Sequence, residues 1–262
     1  MSNLSAENIR QAVANRYESI AVQGVAPAGE QQDCCDTASG SCGPDLYAVD
    51  VSGLPATVTG LSLGCGDPIT LAELQPGQTV LDLGSGAGID CFLAAERVGP
   101  TGKVIGVDMT TSMLARAREN QARLGHDQVE FREGLIEALP VADESIDVII
   151  SNCVVNLSPD KPAVFREALR VLKPGGRLAI SDMVTQGRFS AAERADSDSW
   201  CECISGAENV GDVAAWMKAA GFEDISIRDK EAPGFELAAS GDLPQPLRLF
   251  SARIRGRKPL RG

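Results

Sequence analysis

The stretch TVLDLGSGAG at residues 79–88 joins a short apolar run to three glycines placed at every second position. The apolar run predicts a buried strand, and Gly84, Gly86 and Gly88 follow it directly. In an open parallel sheet, ligands bind outside the carboxyl ends of the strands. Glycines at such a place let the chain turn tightly and let a ligand approach the backbone at the start of a helix. The stretch therefore predicts a cofactor-binding loop.

Short apolar runs alternate with helical stretches from about residue 78 onward, which is the pattern of a doubly wound parallel sheet. The predicted strands cover residues 79–83, 103–108, 129–132, 146–151 and 177–184, followed by closing strands at 224–228 and 247–254. We therefore predict an α/β fold with a Rossmann-like sheet. The core is expected at residues 79–184, after an N-terminal helix and cysteine-containing flap at 1–78. A substrate-binding excursion with a closing helix and strands is expected at 185–262.

The charge and cysteine content exclude several functional classes. The chain has 24 basic and 36 acidic residues, a net charge of −12, which argues against nucleic acid or an anionic membrane as a partner. The start of the chain lacks the apolar centre of a signal peptide, so we expect a cytoplasmic protein with mostly reduced cysteines. His126 is the only histidine and no Cys-x-x-Cys pairs are present, so neither a zinc knuckle nor a histidine base is expected.

Two features of the glycine loop indicate which cofactor it takes. Its spacing is G-x-G-x-G rather than the G-x-G-x-x-G of dinucleotide-binding loops. Asp82 precedes the first glycine by two residues, where it could hold a cationic amino-acid group or, alternatively, cap the following helix.

These motifs resemble those of the class I S-adenosylmethionine-dependent methyltransferases, whose first motif reads acid-x-Gly-x-Gly-x-Gly. The resemblance covers residues 79–184 and includes Lys-Pro-Gly-Gly at 173–176. It implies a class I methyltransferase fold with S-adenosyl-L-methionine as cofactor. The residues that it assigns to the cofactor are Asp82, Gly84, Ser85, Gly86, Gly88, Asp108, Met109, Ile136, Glu137 and Asn152.

Within that set, the resemblance implies that Asp108 binds the ribose hydroxyls and that Met109 lies near the adenine. Many members of the family have an acid after the third strand to meet the adenine amine, whereas this chain has Glu-Gly-Leu-Ile-Glu at 133–137. The backbone of Leu135 or Ile136, or the side chain of Glu137, remains as the candidate for that contact.

Several cysteines lie where a substrate could meet the cofactor. Cys153 follows the fourth strand, which borders the first strand in this topology, so we expect it near the reaction centre. Cys65 lies between Gly64 and Gly66, and Cys91 is expected to pack against the sheet. If the segment around Cys203 is helical, Cys201 and Cys203 point to different faces and only one of them serves the site.

The cysteine motifs resemble those of the arsenite methyltransferases. The matching runs are Leu-Gly-Cys-Gly at 63–66, Asp-Cys-Phe at 90–92, Ser-Asn-Cys-Val-Val-Asn-Leu-Ser-Pro-Asp-Lys at 151–161 and Trp-x-Glu-Cys at 200–203. The resemblance implies arsenic detoxification, with As(III) held by Cys65, Cys153 and Cys203. It also implies a redox role for an upstream cysteine, here Cys34, Cys35 or Cys42, with thioredoxin or glutathione as reductant. Ser-Gly-Ala-Glu at 205–208 departs from the Gly-Gly-Ala-Leu of the family.

Two other functions remain open at this stage. A methyltransferase for another small acceptor, such as a quinone or a sterol-like carbon, would need an apolar acceptor pocket and would not depend on thiols. A protein that sequesters trivalent arsenic or antimony would bind the metalloid tightly without consuming a methyl donor.

Overall fold

The computed structural model describes residues 5–23, 47–61, 64–231 and 247–261. Cys34, Cys35 and Cys42 lie outside these ranges, so the predicted flap and the redox role of its cysteines remain predictions. In the described ranges, no helix combines the length and the apolar character that crossing a bilayer requires.

Nine helices and eight strands form the described part of the chain. The helices are α1 (Ala6–Gln23), α2 (Ala56–Thr59), α3 (Pro68–Ala72), α4 (Ile89–Val98), α5 (Thr111–Leu124), α6 (Lys161–Val171), α7 (Ala191–Arg194), α8 (Ser197–Cys201) and α9 (Val210–Ala220). The strands are β1 (Thr79–Leu83), β2 (Lys103–Asp108), β3 (Val129–Glu133), β4 (Ile146–Asn152), β5 (Leu172–Gln186), β6 (Glu208–Asn209), β7 (Glu223–Asp229) and β8 (Arg248–Arg257). A 3₁₀ turn covers Val155–Leu157.

The strands form one sheet in the order β3-β2-β1-β4-β5-β8-β7, with β6 paired to the end of β5. Strands β1 to β5 are parallel, and β8 is antiparallel to both β5 and β7. The strand order reverses between β1 and β4, so their carboxyl ends form the crevice where ligands bind in such sheets. The predicted doubly wound sheet is confirmed, and the predicted closing strands complete its edge.

The central strands are mostly apolar because helices cover both faces of the sheet. In β4, Val148, Ile149 and Ile150 are fully buried. Helix α4 approaches the sheet closely: a Cβ on Gly106 of β2 would lie 2.8 Å from Cys91 Sγ. The placement of Cys91 against the sheet is therefore confirmed.

Two local predictions differ from the structure. The Lys-Pro-Gly-Gly stretch belongs to β5, which begins at Leu172, and the register between β4 and β5 shifts there. The segment that carries the Trp-Cys-Glu-Cys motif is helical only as far as Cys201, because Cys203 adopts a left-handed conformation that ends the helix. The helical premise used to separate Cys201 from Cys203 is therefore wrong.

Helix α1 lies across the carboxyl-end side of the sheet. Its buried residues Ile9 and Val13 belong to a small apolar cluster that also contains Cys65, Cys153 and Cys203. The helix thus covers the region that the sequence predicts as the site.

Candidate active site

The glycine loop leaves β1 and begins α4 with backbone conformations that favour glycine. Gly84, Gly86 and Gly88 all have positive φ, at 71°, 50° and 97°. A Cβ on Gly84 would lie 2.4 Å from the Val154 side chain, whereas a Cβ on Gly86 would meet nothing within 4 Å. The loop is therefore closed against the protein at Gly84 and open to a ligand at Gly86.

Asp108, at the end of β2, lies beside this loop. Its carboxylate accepts hydrogen bonds from the backbone N–H of Gly86 at 2.9 Å and of Thr110 at 2.8 Å. Burial raises the pKa of this carboxyl, against the lowering effect of those amide bonds. Asp108 lines the adjacent cavity with Met109 and Ile136, and the ribose and adenine roles that the resemblance implies for them stay predictions.

Glu137 lines the same cavity but is already engaged by protein groups. Its Oε1 accepts a hydrogen bond from Ser158 Oγ at 2.8 Å and lies 3.3 Å from Arg10 Nη2 of α1. The side chain therefore ties α1 to the segment after β4. The adenine contact remains a prediction, with the backbone of Leu135 and Ile136 on the cavity wall.

Asp82 is buried against Cys91 of α4, and its role in cofactor binding stays a prediction. It is 2% exposed, and its Oδ2 accepts a hydrogen bond from Cys91 Sγ at 3.3 Å. Burial, followed by the charge of Asp90, raises the pKa of Asp82 well above its usual range. Within the described part of the chain, Asp82 lines neither of the two cavities beside the glycine loop.

Cys65 and Cys153 form a disulfide that joins residues 88 positions apart. The fold brings their Cα atoms to 6.0 Å, within the range that a disulfide requires. The expectation of reduced cysteines is therefore wrong for this pair. The two residues are 4% and 5% exposed, so the bond is buried beneath α1.

The main chain of Cys65 is held from several sides. Its N–H donates to Asn152 Oδ1 at 3.0 Å, and its carbonyl accepts from Lys230 Nζ at 3.2 Å and from Ser251 Oγ at 3.0 Å. A Cβ on Gly64 would lie 2.3 Å from Asn152 Nδ2. The glycine before Cys65 is therefore required by the close approach of Asn152. Lys230 and Ser251 were missed by sequence reasoning because nothing local marks them.

Cys203 lies beside Cys153 in the structure. Its thiol donates to the Cys153 carbonyl at 3.6 Å, and both residues have positive φ, 62° and 55°. A non-glycine residue in this region costs on the order of 1–3 kcal/mol and is found preferentially at functional sites. Cys201 is also buried, at 6% exposed, but it does not share this conformation. The backbone thus distinguishes Cys203 from its neighbour.

Trp200 fixes the Cys203 segment against the segment after β4. Its indole N–H donates to the Leu157 carbonyl at 3.0 Å, and Lys161 Nζ lies 4.9 Å from the ring centroid. Lys161 also donates to the Ser158 carbonyl at 2.8 Å. Burial lowers the pKa of Lys161 to about 8.

In the ranges that the structure describes, no group of three or more His, Cys, Asp or Glu residues is arranged to hold a metal ion. Cys65 and Cys153 are joined to each other in this state. The structure does bring together the three cysteines that the sequence assigns to the substrate, in one buried cluster.

A second cavity beside the glycine loop contains Asp90 and Tyr47, to which sequence reasoning gave no role. Asp90, in the first turn of α4, accepts a hydrogen bond from the Tyr47 hydroxyl at 2.9 Å. Asn152 Nδ2 lies 3.4 Å from Asp90 Oδ2. Asp90, Tyr47, Asn152 and Cys153 all line this cavity. The signals for Asp90 in the sequence are its position two residues after the last glycine and its place in the Asp-Cys-Phe run at 90–92.

A family model described as a methyltransferase domain matches residues 74–221. The chain is therefore a methyltransferase by fold and by family. Across 97% of its length it is 46% identical to an arsenite methyltransferase from Halobacterium salinarum, and it covers 68% of that relative. The chain belongs to the arsenite methyltransferase family, as its cysteine motifs predict.

Two other similar proteins agree with this assignment. An arsenite methyltransferase from Aquipseudomonas alcaligenes is 39% identical, over 85% of this chain and 65% of the relative. The crystal structure of an arsenic(III) S-adenosylmethionine methyltransferase from Chlamydomonas reinhardtii matches with a TM-score of 0.64 at 35% identity, covering 76% of this chain and 68% of that one. The chain thus spans about two thirds of the length of these relatives. The predicted class I methyltransferase fold is confirmed.

Proposed function

We propose that this chain transfers a methyl group from S-adenosylmethionine to trivalent arsenic held by the thiolates of Cys65, Cys153 and Cys203. One observation carries the proposal: the cysteine cluster adjoins the glycine loop. Cys153 lines the same cavity as Gly84 and Ser85 of that loop, and Cys203 contacts Cys153. A thiol-bound substrate would therefore lie next to the cofactor.

The residues around the loop fit the proposed cofactor. The hydroxyl of Ser85 is buried without a partner in the described part of the chain, and a Cβ on Gly86 would meet open space. Asp108, held by two loop amides, would bind the ribose, and the wall near Ile136 would hold the adenine. When bound, S-adenosylmethionine supplies a methyl group on a positively charged sulfonium.

Trivalent arsenic suits the cysteine cluster because soft thiolates are the ligands that select soft ions. A free thiol has a pKa of about 8.5, but binding the ion drives the proton off. Three thiols and arsenous acid give the tris-thiolate and three molecules of water. The arsenic keeps its lone pair, which forms the new As–C bond. No general base is needed, which agrees with a chain that has a single histidine.

The oxidised pair in the structure supports a redox step after methyl transfer. The methylated arsenic is formally pentavalent, and two thiolates that join as a disulfide supply the two electrons that return it to the trivalent state. The Cys65–Cys153 bond is such a disulfide. Reopening it takes two electrons and two protons, which two glutathione thiols or one thioredoxin dithiol can supply. The upstream cysteines, Cys34, Cys35 or Cys42, would relay this reduction.

A methylation assay tests the proposal. Protein, labelled S-adenosylmethionine, arsenite and a thiol are mixed, and arsenic species are separated by chromatography. We expect methylated arsenic that requires the thiol, and we expect Cys153→Ser and Cys203→Ser to abolish it while cofactor binding persists. Cys201→Ser is the matched control and retains activity.

Three results would contradict the proposal. Absence of methylated arsenic would exclude the activity. Tight arsenite binding without use of the methyl donor would indicate sequestration instead. Loss of activity in Cys201→Ser but not in Cys203→Ser would reverse the assignment of the third ligand.

A further inference from the structure

The two cavities beside the glycine loop are lined by different aspartates. They share Tyr17, Gly84, Gly86 and Val154 in their walls, so they lie side by side along the loop. Asp108 lines one of them and Asp90 lines the other. A cofactor with its ribose at Asp108 would therefore extend along the loop toward Asp90 and Cys153.

In the second cavity, the carboxylate of Asp90 is held in one orientation by its neighbours. It is 6% exposed, Tyr47 donates to its Oδ1 at 2.9 Å, and the Asn152 amide lies 3.4 Å from its Oδ2. In the described part of the chain, no Lys or Arg forms a salt bridge with Asp90. A buried carboxylate that faces a cavity without a cation is suited to bind a cationic ligand group.

The side chain of Asn152 connects this acid to the substrate cysteines. Its Nδ2 donates to Tyr47 at 3.1 Å and to the Gly66 carbonyl at 2.9 Å, while its Oδ1 accepts from Cys65 N–H. Asn152 also directly precedes Cys153 in the chain. A group bound at Asp90 would therefore fix the amide that positions the Cys65 loop.

We infer that Asp90, oriented by Tyr47 and Asn152, binds the ammonium group of the cofactor's amino-acid part, and that Asn152 transmits this contact to Cys65. The inference rests on the proposed function in its choice of cofactor. It assigns to Asp90 the role that the sequence suggests for Asp82, whose carboxyl is instead occupied by the Cys91 thiol. Asp90 is thus a binding residue, and Asn152 is a positioning residue.

Equilibrium binding of two probes, measured by calorimetry without arsenic, tests the inference. S-adenosylhomocysteine carries the ammonium group, and 5′-methylthioadenosine lacks the whole amino-acid part. We expect Asp90→Asn to weaken S-adenosylhomocysteine about tenfold to a hundredfold, as for a lost hydrogen bond to a charged group. Binding of 5′-methylthioadenosine should change less than about twofold. Asp127→Asn, in the exposed turn before β3, is the matched control.

Each possible result of these binding measurements either supports or overturns the role of Asp90. An unchanged Asp90→Asn variant, or equal weakening of both probes, overturns the inference, and a selective loss in Asp82→Asn alone returns the role to Asp82. If Asp90→Asn does not fold, Tyr47→Phe keeps the carboxylate and should weaken S-adenosylhomocysteine selectively, by about threefold to tenfold. If the native protein binds neither probe, the proposed function fails as well. If the native protein binds both probes and the variants keep its preference between them, the inference alone fails.

Discussion

Substituting Gly64 by alanine should displace the Cys65 loop from its place beside the cofactor site. A Cβ at this position would lie 2.3 Å from Asn152 Nδ2 and 2.5 Å from its Cγ. Because Cβ contacts under 3.0 Å essentially do not occur, the loop or the amide must move by at least about 0.7 Å. Gly64 does not have a positive φ, so the substitution tests the contact and not the backbone conformation.

The cost follows from what holds the amide in place. Asn152 cannot turn aside without losing its hydrogen bonds to Cys65 N–H and to the Gly66 carbonyl. Overpacking of this kind costs about 1–3 kcal/mol of unfolding free energy. A displacement approaching 1 Å at a reacting group lowers rates by up to about a hundredfold. We therefore expect arsenic methylation to fall about tenfold to a hundredfold.

Urea unfolding and the chromatographic methylation assay measure the two effects. Gly53→Ala is the matched control, because a Cβ there would meet nothing within 4 Å. Asn152→Ala removes the amide that clashes, so in that background Gly64→Ala should cost less than about 0.5 kcal/mol more. The reasoning is refuted if Gly64→Ala behaves like Gly53→Ala, or if its cost is undiminished in the Asn152→Ala background.

Three other predictions concern titration and packing around the site. Burial raises the pKa of Asp90 to about 7, and an ammonium group binds the ionised carboxylate. The affinity for S-adenosylhomocysteine should therefore fall about tenfold per pH unit below pH 7 and level off above it. Calorimetry from pH 5 to 8 checks this, and a flat profile would contradict it. Trp200→Phe leaves the Leu157 carbonyl without its donor and should lower the unfolding free energy by about 1–3 kcal/mol in urea, unlike Trp216→Phe on the half-buried face of α9. Burial also raises the folded-state pKa of Asp182 to about 7, above an unfolded value of about 3.9. Its contribution to the free energy of unfolding is therefore full below pH 4 and is lost as the pH rises through 7. An Asp182→Asn variant whose stability in urea shows the same pH dependence as the native protein would disprove this.

The glycine loop and the sheet could be predicted because their signals are local. Thr79–Leu83 is the first of several short apolar runs that alternate with helical stretches, a pattern typical of a parallel sheet. The three glycines mark backbone that another residue would strain. The cysteines of the site could be predicted from short sequence motifs that lie next to those strands. Each of these inferences needs only residues close together in the chain.

The choice between two acids needed the tertiary structure. Asp82 and Asp90 lie two residues before and two residues after the glycine loop, and the sequence indicated only Asp82 as a ligand. Asp82 points toward Cys91 of the helix that covers the sheet, whereas Asp90 faces the cavity. The rotation of α4 about its axis decides this, and packing against the sheet sets that rotation.

The class of fold, the glycine loop and the cysteines expected around it can be predicted from short stretches of sequence, because hydrophobic periodicity and backbone freedom are properties of short segments. The meeting of Cys65 with Cys153 across 88 residues depends on the folded chain, and so does the approach of Cys203 to the same cluster from a left-handed turn. Lys230, directly after β7, and Ser251, in β8, also reach Cys65 only because distant segments meet in the folded chain. Contacts between distant segments depend on how the strands are ordered, and that order emerges only when the whole sheet has formed.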